Sequence, residues 1–172
     1  MEQQRSDLPG LIAVDHVGVA VADLDAAIAF HTEVLGLVLL HREENPEADV
    51  LEAMLGTGTE GETQVQLLAP MSPQSPIARF LERSGPGLQQ LAYRVADVEA
   101  SAAVLRARGL RLLYDAARPG TRGSLINFVH PHDTGGVLIE LVQAAPEPSA
   151  HRVDPGERQQ PLHEALHERN RT

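Results

Sequence analysis

The chain of 172 residues has no cysteine, and all 14 of its cationic side chains are arginine, because lysine is absent. Without cysteine there is no disulfide framework, no zinc ribbon and no thiol nucleophile. Positive charge is scarce: 24 acidic residues against 14 basic ones leave a formal net charge of −10, and no basic run occurs. Nucleic-acid binders gain most of their affinity by neutralising phosphates with clustered Lys and Arg, so that function class is excluded. No apolar stretch approaches the roughly 20 residues that a bilayer span requires. The first residues (Glu2, Gln3, Gln4, Arg5, Asp7) lack the basic start and apolar core of a signal peptide. The expectation is a soluble, cytoplasmic, acidic protein with neither nucleic acid nor membrane as partner. Its 42% hydrophobic content suffices for the core of one domain or two small fused modules.

The ends differ from the middle. Residues 1–11 read as a flexible N-terminus. From Ala145 the chain carries Pro146, Pro148, Pro155 and Pro161 and few large apolar residues. Such a segment buries too little to offset its ordering entropy, so 145–172 reads as a disordered tail, with Leu162 and Leu166 able to seat one helical turn. In between, Leu11–Val21 is a β-branched run, and Asp23 is a helix N-cap candidate. Ala26–Leu35 places Ile28, Phe30, Val34 and Leu35 at helical spacing, and Gly36 stands where a helix would stop. Leu37–Arg42, Val50–Leu55 and Gln64–Leu68 read as three further strands. The result is one β-α-β-β-β unit.

That unit recurs. DHVGVAVADLDAAIAFHTEVLGLVLL lies over QQLAYRVADVEASAAVLRARGLRLL with a shift of 74 residues, which takes Val21-Ala22-Asp23 onto Val95-Ala96-Asp97. Gly36-Leu37 meets Gly109-Leu110 after a one-residue deletion, and VQLLAP lies over IELVQA. A repeat of this kind implies two similar units, 12–70 and 86–144, packed about a pseudo-twofold axis within one domain spanning 12–144. The shift also relates four polar residues that interrupt apolar strands: His16 maps to Gln90, and Gln66 to Glu140. A buried carboxylate or imidazole needs a partner, and a divalent ion shared at the axis supplies one.

The repeat and these positions resemble the vicinal oxygen chelate superfamily, the glyoxalase/bleomycin-resistance fold. Within it, HREENPEADVLEAML, SPIARFLERSGPGL, RPGTRGSLINFVHP and HPHDTGGVLIELVQ are similar to the methylmalonyl-CoA epimerases. The resemblance implies an α+β fold in which two βαβββ modules form an incomplete eight-stranded barrel around a divalent ion such as Co, Mn, Mg or Ni. It implies that His16, Gln66, Gln90 and Glu140 occupy the ligand positions. It implies an acyl-CoA substrate, a homodimer, and epimerisation of methylmalonyl-CoA or a close homologue through an enolate, with Glu52 and Glu140 as the two acid/bases. Glu52 fits on its own residues, since it shares a strand face with Val50 and Met54 and burial there would raise its pKa. Glu43, Glu44 and Glu47 read as a solvated, proline-containing turn, and His31 and His41 as surface residues. His130 takes a structural role. The loop Arg118–Ser124, with Arg118 and Arg122, is a candidate to meet the anionic CoA.

The epimerases carry a His-His pair where this chain has Gln89-Gln90. One nitrogen and three oxygen donors favour harder ions such as Mg²⁺ or Mn²⁺ over Zn²⁺. Weaker binding, a changed metal and loss of the metal all remain open at this point. So do two other functions: a diverged isomerase or lyase of the same fold, and a non-catalytic binder of the bleomycin-resistance type, which would not need Glu52.

Overall fold

The computed structural model describes residue 8 and residues 10–146, so the expectations for the first seven residues and for 147–172 lie outside the described residues. The elements in chain order are β1 (Leu11–Ala20), α1 (Leu24–Ala29), β2 (Val38–Asn45), β3 (Val50–Gly56), β4 (Gln64–Pro70), α2 (Pro76–Ser84), β5 (Gly87–Val95), α3 (Val98–Ala107), β6 (Arg118–Pro119), β7 (Leu125–Val129) and β8 (Leu138–Gln143). Asp23 and Asp97 cap α1 and α3, each accepting a hydrogen bond from the third residue onward, Ala26 and Ala100. Gly36 and Gly109 follow in left-handed conformations, so the paired landmarks of the repeat are paired turns. Among the described residues no helix is long and apolar enough to cross a membrane.

The strands form one eight-stranded sheet in the order β2-β3-β4-β1-β5-β8-β7-β6. β1–β4 and β5–β8 are parallel and the remaining pairs antiparallel. The two halves share one register: Gly18 lies opposite Gln66 in the first and Ala92 opposite Glu140 in the second, each pair displaced by the repeat. At the centre Val17 faces Leu91, two residues that the repeat maps onto one another, so the pseudo-twofold axis passes through that pair. This is the mixed α+β half-barrel that the sequence implies.

Strand alternation sorts core from site. Ala53, Leu55, Leu67 and Ala69 pack outward against Leu24 and Ile28 of α1. Their neighbours Glu52, Met54, Gln66 and Leu68 fall on the opposite, concave face. Val95, Val98 and Leu141 build the corresponding core under α3.

Three local expectations are corrected. The first helix does not end as an α-helix: Phe30–Val34 form a π-helical turn, which rotates the side chains that follow. Phe30, Val34 and Leu35 are exposed. The stretch after Gly109, which the repeat sets over the strand after Gly36, makes a single bridge, Leu112 to Val129, and the pairing resumes at Arg118–Pro119. Glu43 and Glu44 are not in a turn; β2 runs to Asn45, and only Glu47 of the three lies in the turn that follows.

Candidate active site

Four strands deliver four polar heads to one point. His16 comes from β1, Gln66 from β4, Gln90 from β5 and Glu140 from β8, and none is more than 6% exposed. His16 Nε2 lies 3.1 Å from Glu140 Oε2. Gln90 Nε2 donates to Gln66 Oε1 at 3.1 Å, donates to Glu140 Oε2 and lies 3.4 Å from His16 Nε2. The convergence follows from register: His16 and Gln90 sit one step to either side of the axial Val17–Leu91 pair.

Gly18 makes room for this cluster. A Cβ at that position would meet Gln90 Cγ at 2.5 Å, so only glycine lets the Gln90 side chain cross over β1. The matching residue opposite His16 is Ala92.

Glu52 stands beside the cluster on β3, 3% exposed. Its Oε2 accepts from Gln66 Nε2 at 2.7 Å and from Thr121 Oγ1 at 2.8 Å, and Asn45 Nδ2 approaches Oε1 at 3.4 Å. Across the β2–β3 ladder it faces Glu43. Burial is the main cause that pushes the Glu52 carboxyl up to about 7; the charge and hydrogen bond of Glu43 add to it, and the Thr121 and Asn45 bonds oppose it. Glu43 moves the other way, held low despite its own burial by His41, whose Nε2 lies 2.6 Å from Glu43 Oε2, and by the proton that Glu52 shares with it. Glu43 and His41 are therefore half-buried neighbours of Glu52 and not solvated surface groups, because both point to the concave side of β2.

His16 is held from both sides. Its Nδ1 lies 2.9 Å from Asp15 Oδ1, and Asp15 Oδ2 accepts from Arg94 Nε at 2.6 Å. Desolvation lowers the His16 pKa, but the hydrogen bonds and charges of Asp15 and Glu140 outweigh it and raise it to about 9. Asp15 is kept below the ordinary carboxylate value: burial opposes this, and its bonds to His16 and Arg94 prevail.

A cavity of about 210 Å³ opens over the cluster, with Glu52, Gln66, Gln90 and Glu140 in its wall. Arg118 also lines it, stacked over the Tyr114 ring at 4.2 Å. Arg122 sits at the tip of its loop with φ 57°, a left-handed backbone uncommon for a non-glycine residue. A second cavity of about 260 Å³ has Asp15, His16, Arg94 and Glu140 in its lining. His130 is the cap of the short helical turn at 131–133, its Nδ1 accepting from His132 N, and takes no part in the cluster. The His31 ring likewise turns back along its own helix, with Nδ1 2.8 Å from Ala27 O.

The donor set fits a hard divalent cation. Among the described residues no three His, Asp or Glu side chains gather to hold a metal, since two of the four heads are amides. Gln66 already turns its oxygen to the centre, its nitrogen held outward by Glu52 and Thr121. Gln90 has its nitrogen inward and needs a half-turn of the amide to present Oε1. His16, with Nδ1 engaged by Asp15, has Nε2 to offer.

These features define the class. The chain belongs to the Glyoxalase/Bleomycin resistance protein/Dioxygenase superfamily, which it matches over residues 15–128. Within that superfamily it is a methylmalonyl-CoA epimerase-like isomerase. A crystal structure of methylmalonyl-CoA epimerase from Mycobacterium tuberculosis is 50% identical, with a TM-score of 0.76 over 80% of this chain and 91% of that one. A methylmalonyl-CoA epimerase in complex with methylmalonyl-CoA and NH4+ is 43% identical, with a TM-score of 0.75 over 78% and 96% of the two chains. The mitochondrial methylmalonyl-CoA epimerase of Mus musculus is 35% identical over 143 residues, 83% of this chain and 79% of its own length.

Proposed function

We propose that this protein epimerises methylmalonyl-CoA or a closely related 2-substituted malonyl-CoA thioester. The observation that carries the reading is the placement of two buried carboxyl groups in the wall of one cavity, Glu140 within the four-headed cluster and Glu52 beside it. Inversion at the carbon between a thioester and a carboxylate needs a proton removed from one face of the plane and returned on the other. A carboxyl group with a pKa of about 7 is matched to both tasks near neutral pH, and Glu52 is such a group. Glu52 Oε2 takes the α-proton on its side, with Thr121 and Gln66 holding the carboxylate in place, and Glu140, protonated at the start of the turnover, returns a proton on the other, which leaves Glu52 protonated and Glu140 ionised. Reversing the roles inverts the opposite epimer.

His16 Nε2, Gln66 Oε1, Gln90 Oε1 and Glu140 are the groups that would hold a divalent ion. When bound, that ion supplies Lewis-acid stabilisation of the charge that develops on the thioester oxygen. The CoA portion carries several negative charges, and an acidic chain cannot capture it by overall field. Arg118, fixed on Tyr114 at the cavity wall, is positioned to meet it. The apolar side chains exposed at Phe30, Val34, Leu35, Val38 and Leu39 offer a surface for a homodimer, whose mass by light scattering would be twice the 18.6 kDa of the chain.

The test is deuterium incorporation from solvent into methylmalonyl-CoA, followed by mass spectrometry with and without chelator. The wild type exchanges and inverts, and chelator suppresses both. Glu52→Ala loses inversion by about 10²–10⁴-fold, the usual weight of one general acid/base. Absence of exchange in the wild type with Mn²⁺, Co²⁺ or Mg²⁺ would rule the reading out.

A further inference from the structure

β-Strand neighbours point to opposite faces, yet Asp15 and His16 are adjacent in β1 and their side chains touch. The cause is a register shift. Val14 pairs with Tyr93 and His16 with Ala92, so Asp15 is an extra residue in β1 with no partner opposite. Such a bulge re-aims the inserted side chain, here to the side of His16. From β5, Arg94 then donates to the other Asp15 oxygen at 2.6 Å. Only 15% of the Asp15 side chain and 28% of the Arg94 side chain are exposed, so the pair is shielded from water.

Besides a further shift at Ile12, the same ladder holds a bulge at Gln89 in β5, between Gly18–Gln90 and Val19–Leu88. The 74-residue repeat places it on Asp15. There the inserted side chain is a neutral amide whose buried Oε1 has no hydrogen-bond partner among the described residues, and the residue it precedes is the amide Gln90. Arg94 maps back to Ala20, which carries no charge. The two halves thus share a bulge, but only the half that presents an imidazole furnishes it with a carboxylate and an arginine. An imidazole has a requirement that an amide lacks: besides its rotation, the ring must be fixed in one tautomer before Nε2 is a ligand.

We propose that Asp15, locked by Arg94, is a positioning residue that holds His16 with Nδ1 protonated and Nε2 directed to a divalent cation. The inference rests on the metal-assisted reading given above. Neither residue touches the cation; Asp15 acts through the imidazole and Arg94 through Asp15.

The experiment is titration of the full chain with Mn²⁺, followed by calorimetry and by the electron paramagnetic resonance of free Mn²⁺, with the absorption spectrum of the Co²⁺ form as a second readout. Asp15→Ala lowers Mn²⁺ affinity by about 10–100-fold, the usual weight of an outer partner of a ligating histidine, and alters the Co²⁺ spectrum. Asp15→Asn retains an oxygen for Nδ1–H and recovers part of the loss; it also serves where Asp15→Ala fails to fold. Arg94→Gln costs less by itself and adds nothing in the Asp15→Ala background, since its effect passes through Asp15. A purely structural role would lower Tm and leave affinity and spectrum unchanged in the folded protein. Wild-type affinity in both Asp15 variants overturns the inference alone; a wild type that binds neither Mn²⁺ nor Co²⁺ overturns the metal reading as well.

Discussion

Three hydrogen-bond donors and one like charge surround Glu52, and they pull in opposite directions. Burial and Glu43 favour its neutral form, while Thr121 and Asn45 favour the anion. Replacing Glu43 by Gln removes the charge but not the burial, so the Glu52 pKa falls from about 7 and stops short of its ordinary value of 4.5. The acid limb of a kcat/KM–pH profile for Glu43→Gln is expected at lower pH than in the wild type; an unmoved limb would show that Glu43 does not tune Glu52. The Glu52 environment was legible in the sequence because Val50, Met54 and their apolar neighbours define a buried strand face. Glu43 and His41 were not, because the Asn45-Pro46 turn signal masks how far β2 extends. Thr121 was not either: it reaches Glu52 from a loop, where no periodicity assigns a direction to a side chain.

The repeat made most elements readable, down to the Asp caps and glycine stops, because these rest on local chemistry. It could not show the bulges at Asp15 and Gln89. A register shift is a property of two paired strands and leaves no mark in either one read singly. It also missed the shortened second half, where Leu112 bridges once and the ladder restarts at Arg118. Gly18 lies between these cases: it is visible in DHVGVAV, but its reason is the crossing of Gln90. Gly18→Ala sets a Cβ 2.5 Å from Gln90 Cγ, an atom near the backbone and hemmed in by the cluster. Such overpacking costs about 1–3 kcal/mol, and it displaces the Gln90 amide. Calorimetric unfolding of Gly18→Ala should show a Tm several degrees below wild type, together with weaker Mn²⁺ binding. Ala92→Gly, at the matching position, should leave Mn²⁺ affinity near wild type, since Ala92 already fits against His16.

For the molecule as a whole, the site links stability, pH and metal. In the metal-free protein His16 has a raised pKa, so its contribution is complete below its ordinary 6.5 and is lost as pH climbs through about 9. Glu52 is raised as well; its contribution is complete below 4.5 and is lost as pH rises through about 7. Asp15 is lowered and acts in the opposite sense, stabilising above 3.8 and failing as pH falls below it. A chain of net charge −10 also gains self-repulsion as its remaining groups deprotonate. Metal-free protein is therefore most stable on the acidic side of neutrality, and its Tm declines steadily from pH 6 to pH 9. A cation at His16 Nε2 takes the place of the proton that His16 holds up to about 9, so binding at pH 7 releases about one proton per ion. Mn²⁺ titrations in two buffers of different ionisation enthalpy would measure that release directly. The metal-saturated protein should keep its Tm across the same pH range, because each step toward alkaline pH that weakens the apo fold strengthens binding. A metal-free Tm that rises from pH 6 to 9, or binding without proton release, would mean that His16 is already neutral in the folded apo protein and that Asp15 and Glu140 do not hold it charged.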